Sequence, residues 1–306
     1  MEVVRGIDSG APLEKSAVTI GFFDGVHRGH QSVIGHTVDV ANRDGLTPVA
    51  VTFDRHPREV LTPENVPPLL TTLERKAALI EELGVTTLVV LEFTEDFSRW
   101  SPEEFVAKVL VERLKIAHAV VGSNFTFGHK AKGNLAVLGE LGASYGFTVE
   151  GLPLFAIDDR PVSSSSIRTA LLEGDLAWPA TALGRRFVVD GRVVPGAGRG
   201  AGLGFPTANL EVAREMLLPA EGVYAGKAIV DGRGLVAAIN VGTNPTFGME
   251  PLHAEAFLLD FDGDLLDQPI SLEFWARLRD EVRFGSGEEL ARQIRDDVDR
   301  TRSLVA

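Results

Sequence analysis

Apolar positions in the first half of the chain follow two patterns that take turns. Ala17 to Ile20, Thr47 to Phe53, Thr86 to Phe93, His118 to Gly122 and Phe147 to Leu152 are short, largely apolar runs rich in β-branched residues. Such runs predict strands, with Thr47 to Phe53 a buried one by its continuous apolar run. Between them the spacing becomes helical: an amphipathic segment passes through Ser32, Val33, Ile34 and Val38, and others run from Thr72 to Leu83, Phe105 to Leu114 and Leu135 to Tyr145. Ser101-Pro102-Glu103-Glu104 is a helix start, with Ser as N-cap, Pro at the first position and an acidic first turn. Strand and helix in alternation imply a parallel sheet with right-handed crossovers, which collects ligands beyond the carboxyl ends of its strands.

Around Leu176 to Leu183 this alternation stops, and Pro179 is expected to break the helical pattern there. The boundary predicted from this divides the chain into residues 1–182 and 183–306. From Gly184 onward short β-type runs are separated by Gly and Pro: Phe187 to Val194, Gly222 to Val230, Leu235 to Val241, Ala254 to Phe261 and Ile270 to Trp275. That spacing predicts a compact antiparallel barrel. A tail from Ser286 to Leu304 carries Leu290, Ile294 and Val298 at intervals of four, which predicts a terminal helix packed across the barrel. The fold class is thus α/β with a parallel sheet, followed by a β-barrel with a terminal helix.

Composition changes this picture little. With 306 residues, 44% of them hydrophobic and 24% charged, the chain can bury a core in each of two domains. A net charge of −13 argues against a nucleic-acid partner, since duplex binding needs a basic face. Zero cysteines remove disulfides and thiol chemistry. Neither a signal-type N-terminus nor a run of about 18 apolar residues is present, so cytoplasm is the expected location and no membrane partner is expected. Homo-oligomer formation is left open.

The chemistry concentrates at Gly21-Phe22-Phe23-Asp24-Gly25-Val26-His27-Arg28-Gly29-His30, directly after the first strong strand. Strand, Gly-rich turn and helix make an anion pocket, because the first turn of a helix leaves unpaired N–H groups and a partial positive charge. His27 and His30, three apart, would project from one helix face toward the same phosphate. Two surface histidines, or half of a metal site, are the alternatives for this pair. Metal ligation would want a further soft ligand, and there is no cysteine. Polar segments follow three other strands at what should be the same sheet edge: Phe53 to Pro57, Gly122 to Gly128 and Pro161 to Arg168.

The ten-residue stretch resembles the nucleotidylyltransferase signature, in the form found in bacterial bifunctional riboflavin kinase/FAD synthetases. Thr52 to Pro57, Gly122 to Gly128 and Ser163 to Arg168 are similar to further elements of that family, with Asn124, Thr126 and Ser165 standing where many members have Asp, Arg and Thr. The resemblance implies a Rossmann-like nucleotidylyltransferase domain in which Gly21, Phe22, Asp24, Gly25, Asn124, Ser163, Ser164, Ser165 and Arg168 bind ATP phosphates, with His27 and His30 catalytic. His56 and Pro57 would meet the flavin.

A second constellation opens the barrel, at Val194 to Asn209. Gly196, Gly198 and Ala201 formally fit a dinucleotide fingerprint, but that motif must open a helix, and Gly202, Gly204 and Pro206 forbid one. A mobile loop is one reading; a flap whose backbone N–H groups wrap phosphates is the other. Thr207 and Asn209, two apart on an extended segment, offer hard oxygens suited to Mg²⁺. Gly-Phe-Pro-Thr-Ala-Asn is similar to the riboflavin kinase signature, and Ile239 to Phe247 and Ala254 to Phe261 match the same family. The resemblance implies a kinase site with Gly196, Gly198, Gly200, Gly202, Pro206, Thr207 and Asn209 around Mg²⁺-ATP, Glu255 as base and Arg279 near the flavin. Its substrates would be riboflavin, FMN and ATP. A one-activity nucleotidylyltransferase with a regulatory barrel and a nucleotide-responsive binder remain as alternatives.

Overall fold

The computed structural model describes residues 1–6, 14–196, 204–243, 252–282 and 284–305. They group into two compact units: residues 1–67 with 73–163, and residues 68–72 with 164–306.

The first unit is a six-stranded parallel sheet of β1 (Glu2–Arg5), β2 (Ser16–Ile20), β3 (Thr47–Phe53), β4 (Thr87–Leu91), β5 (Ile116–Gly122) and β6 (Thr148–Leu152), in the order β1-β4-β3-β2-β5-β6. Every residue of β2 and β4 is buried, as continuous apolar runs demand of central parallel strands. The strand order runs outward from β2 in one direction and from β5 in the other, so the topological switch point lies between these neighbours. Helices Arg28–Asp44, Leu73–Glu82 and Leu135–Tyr145 are the crossovers that periodicity predicts. Ser101 forms a full capping box with Glu104. Beyond Phe105 the chain continues as a π-helix over Val106–Arg113, where periodicity alone reads as α-helix. A two-stranded ribbon of β7 (Ala156–Ile157) and β8 (Arg160–Pro161) ends the unit.

The second unit opens with helices Ser164–Leu172 and Ala177–Leu183. Pro179 does not break the latter: it occupies the third helical position, where a missing N–H costs nothing because first-turn donors have no intrahelical partner. The barrel is closed and antiparallel. Its strands are β9 (Phe187–Val194), β10 (Thr207–Glu211), β11 (Gly222–Val230), β12 (Arg233–Gly242), β13 (His253–Leu258) and β14 (Pro269–Arg279), in the order β10-β13-β12-β11-β14-β9. The terminal helix Gly287–Val305 lies on β11, β12 and β14. Its Leu290, Ile294 and Val298 are half-buried, and the deeper positions are Asp297, Thr301 and Val305. The reason is an ion pair: Asp297 receives Arg279 Nη2 at 2.8 Å and Nε at 3.0 Å, and Gln293 Nε2 at 3.0 Å, so a buried carboxylate anchors a stripe that periodicity credits to aliphatic residues.

Candidate functional site

The segment after β2 does not enter its helix directly. Phe23 adopts a left-handed conformation (φ 53°), Gly25 and Val26 also have positive φ (78° and 39°), and Asp24–Val26 form a single 3₁₀ turn. Gly25 takes its positive φ freely, but Phe23 and the β-branched Val26 store strain of the kind that concentrates at functional sites. Gly21 is required by close approach: a Cβ there would lie 2.7 Å from the Phe23 ring. Thr52 Oγ1 on β3 donates to Phe22 O (3.1 Å), tying the turn to the neighbouring strand.

His27 is the N-cap of helix Arg28–Asp44 rather than a first-turn residue, and its Nδ1 accepts from His30 N (3.3 Å). That bond leaves Nε2 of the neutral ring to carry the proton. The two imidazoles stack, with centroids 3.6 Å apart and planes 18° from parallel. His30 Nδ1 is buried and finds no hydrogen-bond partner among the described residues. Burial, then repulsion from His27 whenever that ring is protonated and from the Lys76 ammonium, hold the His30 pKa well below its ordinary value. The ring is therefore neutral at pH 7, with an orphaned polar atom at the helix N-terminus where an anion would bind.

Two of the other predicted segments come to the same sheet edge. His56 packs edge-on against the Phe22 ring, centroids 4.9 Å apart, and its Nδ1 accepts from Arg58 N. Pro57 occupies the N-cap position of the short helix that follows. Asn124 is exposed in the turn after β5, across the switch point from the His27 turn, with Phe125 N donating to Gly122 O (2.9 Å). The third segment is divided: Ser163 ends the first unit, while Ser164, Ser165 and Arg168 begin the second. Arg168 is buried there and its Nε donates to Pro68 O (2.6 Å).

One residue at the turn was not visible in the sequence. Lys76, on helix Leu73–Glu82, is 3% exposed, with Nζ 3.9 Å from the centroid of the Phe22 ring. Its carboxylate neighbour is Asp24 of the turn, itself 2% exposed. In the run Glu74-Arg75-Lys76 it reads as one of three solvated charges.

In the barrel the constellation is built by register. Asn209 on β10 is paired with Glu255 on β13, and Glu255 is paired in turn with Asn240 on β12. Directly opposed residues share a face, here the half-exposed one, since Ala254, Ala256 and Leu258 alternate into the interior. Thr207 Oγ1 donates to Glu255 Oε2 at 3.4 Å, and His253 Nε2 lies 3.4 Å from the other Glu255 oxygen. Pro206 is exposed immediately before β10. Gly196 permits the closest approach of all: a Cβ there would fall 2.0 Å from Asn209 Nδ2. Gly198, Gly200, Gly202 and the Asn244 to Phe247 element lie outside the described residues. Arg279, expected near the flavin, has its guanidinium fork engaged by Asp297 and so pins the terminal helix. The oxygens of Thr207, Asn209 and Glu255 are the hard donors that suit Mg²⁺.

A strained, histidine-capped turn at the switch point of a parallel sheet, followed along the chain by a barrel with a hydroxyl-amide-carboxylate face, is the build of a two-unit transferase. The family model for FAD synthetase matches residues 10–166, and that for riboflavin kinase matches residues 183–305. The chain belongs to the bifunctional riboflavin kinase/FMN adenylyltransferase family. Relatives of that name include one from Pseudomonas fluorescens, 38% identical across 100% of this chain and 98% of its own length. Another is from Bacillus subtilis, 38% identical across 92% and 90%. A solved structure, described as a macrolide-efflux protein from Streptococcus pneumoniae, superimposes with a TM-score of 0.89 at 28% identity, covering 99% of both chains. In this chain no helix among the described residues is long and apolar enough to cross a membrane.

Proposed function

We propose that the protein makes both flavin cofactors in sequence. The barrel unit phosphorylates riboflavin with ATP to give FMN and ADP, and the α/β unit adenylylates FMN with ATP to give FAD and pyrophosphate. The observation that carries this reading is the tandem match of the two family models, each on the unit with the corresponding architecture. We set the functional boundary at residues 182/183, where the kinase match begins.

In the kinase step the barrier is mostly positioning and charge. Glu255 takes the proton of the ribityl 5′-hydroxyl, and Thr207 holds the Glu255 carboxylate in place through its hydroxyl. Thr207 and Asn209 would hold Mg²⁺, which supplies neutralisation of the ATP phosphates. The Gly196 to Gly204 segment, including Gly198, Gly200 and Gly202, covers those phosphates, and Arg279 serves the flavin side by fixing the terminal helix.

In the adenylyl step the nucleophile is an already ionised phosphate, so no base is needed. The residues must instead stabilise charge on the α-phosphate as pyrophosphate leaves. His27, through the proton on Nε2, and His30, through its unpartnered nitrogen, take that role beside the helix N-terminus; the cap bond of His27 and the unpartnered His30 Nδ1 support it. Gly21, Phe22, Asp24 and Gly25 shape the cradle. Asn124, Ser163, Ser164, Ser165 and Arg168 hold the remaining phosphates, and His56 and Pro57 border the flavin. Riboflavin, FMN and ATP are the partners and the cytoplasm is the compartment; nucleic acid and membranes have no part in the scheme, and oligomer formation is neutral to it.

Incubation of the pure protein with riboflavin, ATP and Mg²⁺, followed by chromatography, is the test. Both FMN and FAD should appear. FAD from supplied FMN alone would reduce the barrel to a regulatory module, and neither product would leave a flavin- or nucleotide-binding protein.

A further inference from the structure

Lys76 has no part in the mechanism above, yet its position is hard to explain as scaffold. A lysine removed from water is stable only when an anion or acceptor meets its ammonium group. Among the described residues no hydrogen bond or ion pair reaches Lys76 Nζ; what it has is the face of the Phe22 ring at 3.9 Å and the more distant charge of Asp24. The groups that face it on the neighbouring elements are those two turn residues and His30 on the following helix. On its own helix Glu74, Arg75, Glu81 and Glu82 complete the ionisable set, and Glu81 is engaged by the N-terminal amine of Met1. So a buried cation lies against the turn, beside the helix that carries the orphaned His30 nitrogen, without a counter-ion in contact.

We propose that Lys76 is a ligand-binding residue of the adenylyltransferase site, whose ammonium group meets the polyphosphate of ATP and then the departing pyrophosphate. This rests on the adenylyl-transfer reading of the α/β unit. The chemistry fits: a compact ammonium on a flexible stem is a point-charge phosphate binder. Burial pushes its pKa down to about 8, with Asp24 opposing the shift. The empty site thus holds a proton loosely near physiological pH, and a bound polyanion would fix it.

The chain has seven lysines, which makes the side chain directly observable. In full-length protein labelled with ¹³C-lysine, one resonance should titrate near pH 8 and vanish in Lys76→Met. Saturating pyrophosphate should move that midpoint up by more than one pH unit, equivalent to more than tenfold tighter binding to the ammonium form. In FAD formation from supplied FMN, Lys76→Met should lower kcat/KM for ATP about 100-fold and Lys76→Arg much less, while FMN formation from riboflavin stays normal. Wild-type kcat/KM should fall as pH rises through the lysine pKa, a limb that Lys76→Met lacks. An unmoved midpoint with pyrophosphate, in a protein that makes FAD, overturns the proposal. So does a midpoint moved by FMN but not by pyrophosphate, which would assign Lys76 to the flavin phosphate. If the protein makes no FAD from FMN at all, the adenylyl-transfer reading fails instead, and the pyrophosphate titration still decides what Lys76 binds.

Discussion

The histidine-capped turn and the barrel face are built from opposite materials. In the first, backbone does the shaping: three positive-φ residues in four, a cap that is itself an imidazole, and a helix N-terminus, all seated on a strand with no exposed residue. In the second, the backbone is ordinary antiparallel barrel and the arrangement is made by register, which sets Asn209, Glu255 and Asn240 in one row with Thr207 beside them. A site made of backbone strain has a few replaceable side chains and many that cannot change. One made of register should tolerate local change but fail when a single member of the row goes.

The largest effect is expected at Glu255. Glu255→Gln keeps the shape and loses the proton acceptor, so kinase turnover should fall roughly 100- to 10,000-fold with little change in riboflavin affinity. FAD formation from supplied FMN should survive. Near-normal FMN production would return Glu255 to the status of a surface carboxylate. Next comes His27→Ala, which removes a donor to transition-state charge and should lower FAD-forming turnover about 100- to 1,000-fold, roughly 3–4 kcal/mol, with kinase rates intact. A loss of tenfold or less would mean the cap is only structural.

Lys76 sharpens the contrast through stability. Its pKa falls from an ordinary 10.5 to about 8 on folding, so the unfolded chain holds the proton more tightly between those values. Stability must therefore rise with pH across that window and be lowest below it. Lys76→Met should stabilise the empty protein at pH 7 by up to about 3 kcal/mol, a gain that disappears toward pH 10.5. Denaturant titrations of both proteins at pH 7 and pH 10 measure it; equal stabilities at pH 7 would mean the lysine is not desolvated. The smallest effect belongs to Gly196→Ala, whose Cβ must push Asn209 aside. Displacing a supporting contact of this kind costs about 10- to 100-fold in metal-nucleotide affinity, read as a raised KM for Mg²⁺-ATP in the kinase assay alone.

The sequence showed the fold more fully than the sites. Strands Thr47–Phe53, Phe187–Val194 and Gly222–Val230 and helix Leu135–Tyr145 coincide with their apolar patterns to the residue. The strand Glu2–Arg5 was missed because a four-residue edge strand with a charge at each end leaves an apolar run of only Val3 and Val4. Pro179 misled because a proline reads the same in the first turn of a helix as at its end, and its position depends on where the helix starts. The terminal helix was legible as a helix, but the role of Asp297 was not, because a charge on an apolar stripe becomes an anchor only when Arg279 meets it from another element. Lys76 was hidden for the same reason: helical spacing says which residues share a face, and tertiary packing says which of them lose water. His27 and His30 were legible because three-residue spacing at a helix start is local, although the stacking of the rings and the cap role of His27 were not.

The place of β2 also sets an order of events. It pairs with β3, whose residues follow within a few dozen positions, and with β5, where Ser16 meets Ile116 about a hundred residues later. Closing that long loop is an entropic hurdle that near neighbours do not face. The β2–β5 seam, and the positive-φ turn above it, should consequently assemble after the β2-β3-β4 layer has a foothold. Substitutions in Phe23, Gly25 or Val26 should then leave refolding rates nearly alone and appear in the unfolding limb of a chevron. The positive-φ turn is a late arrival that the finished sheet holds in place.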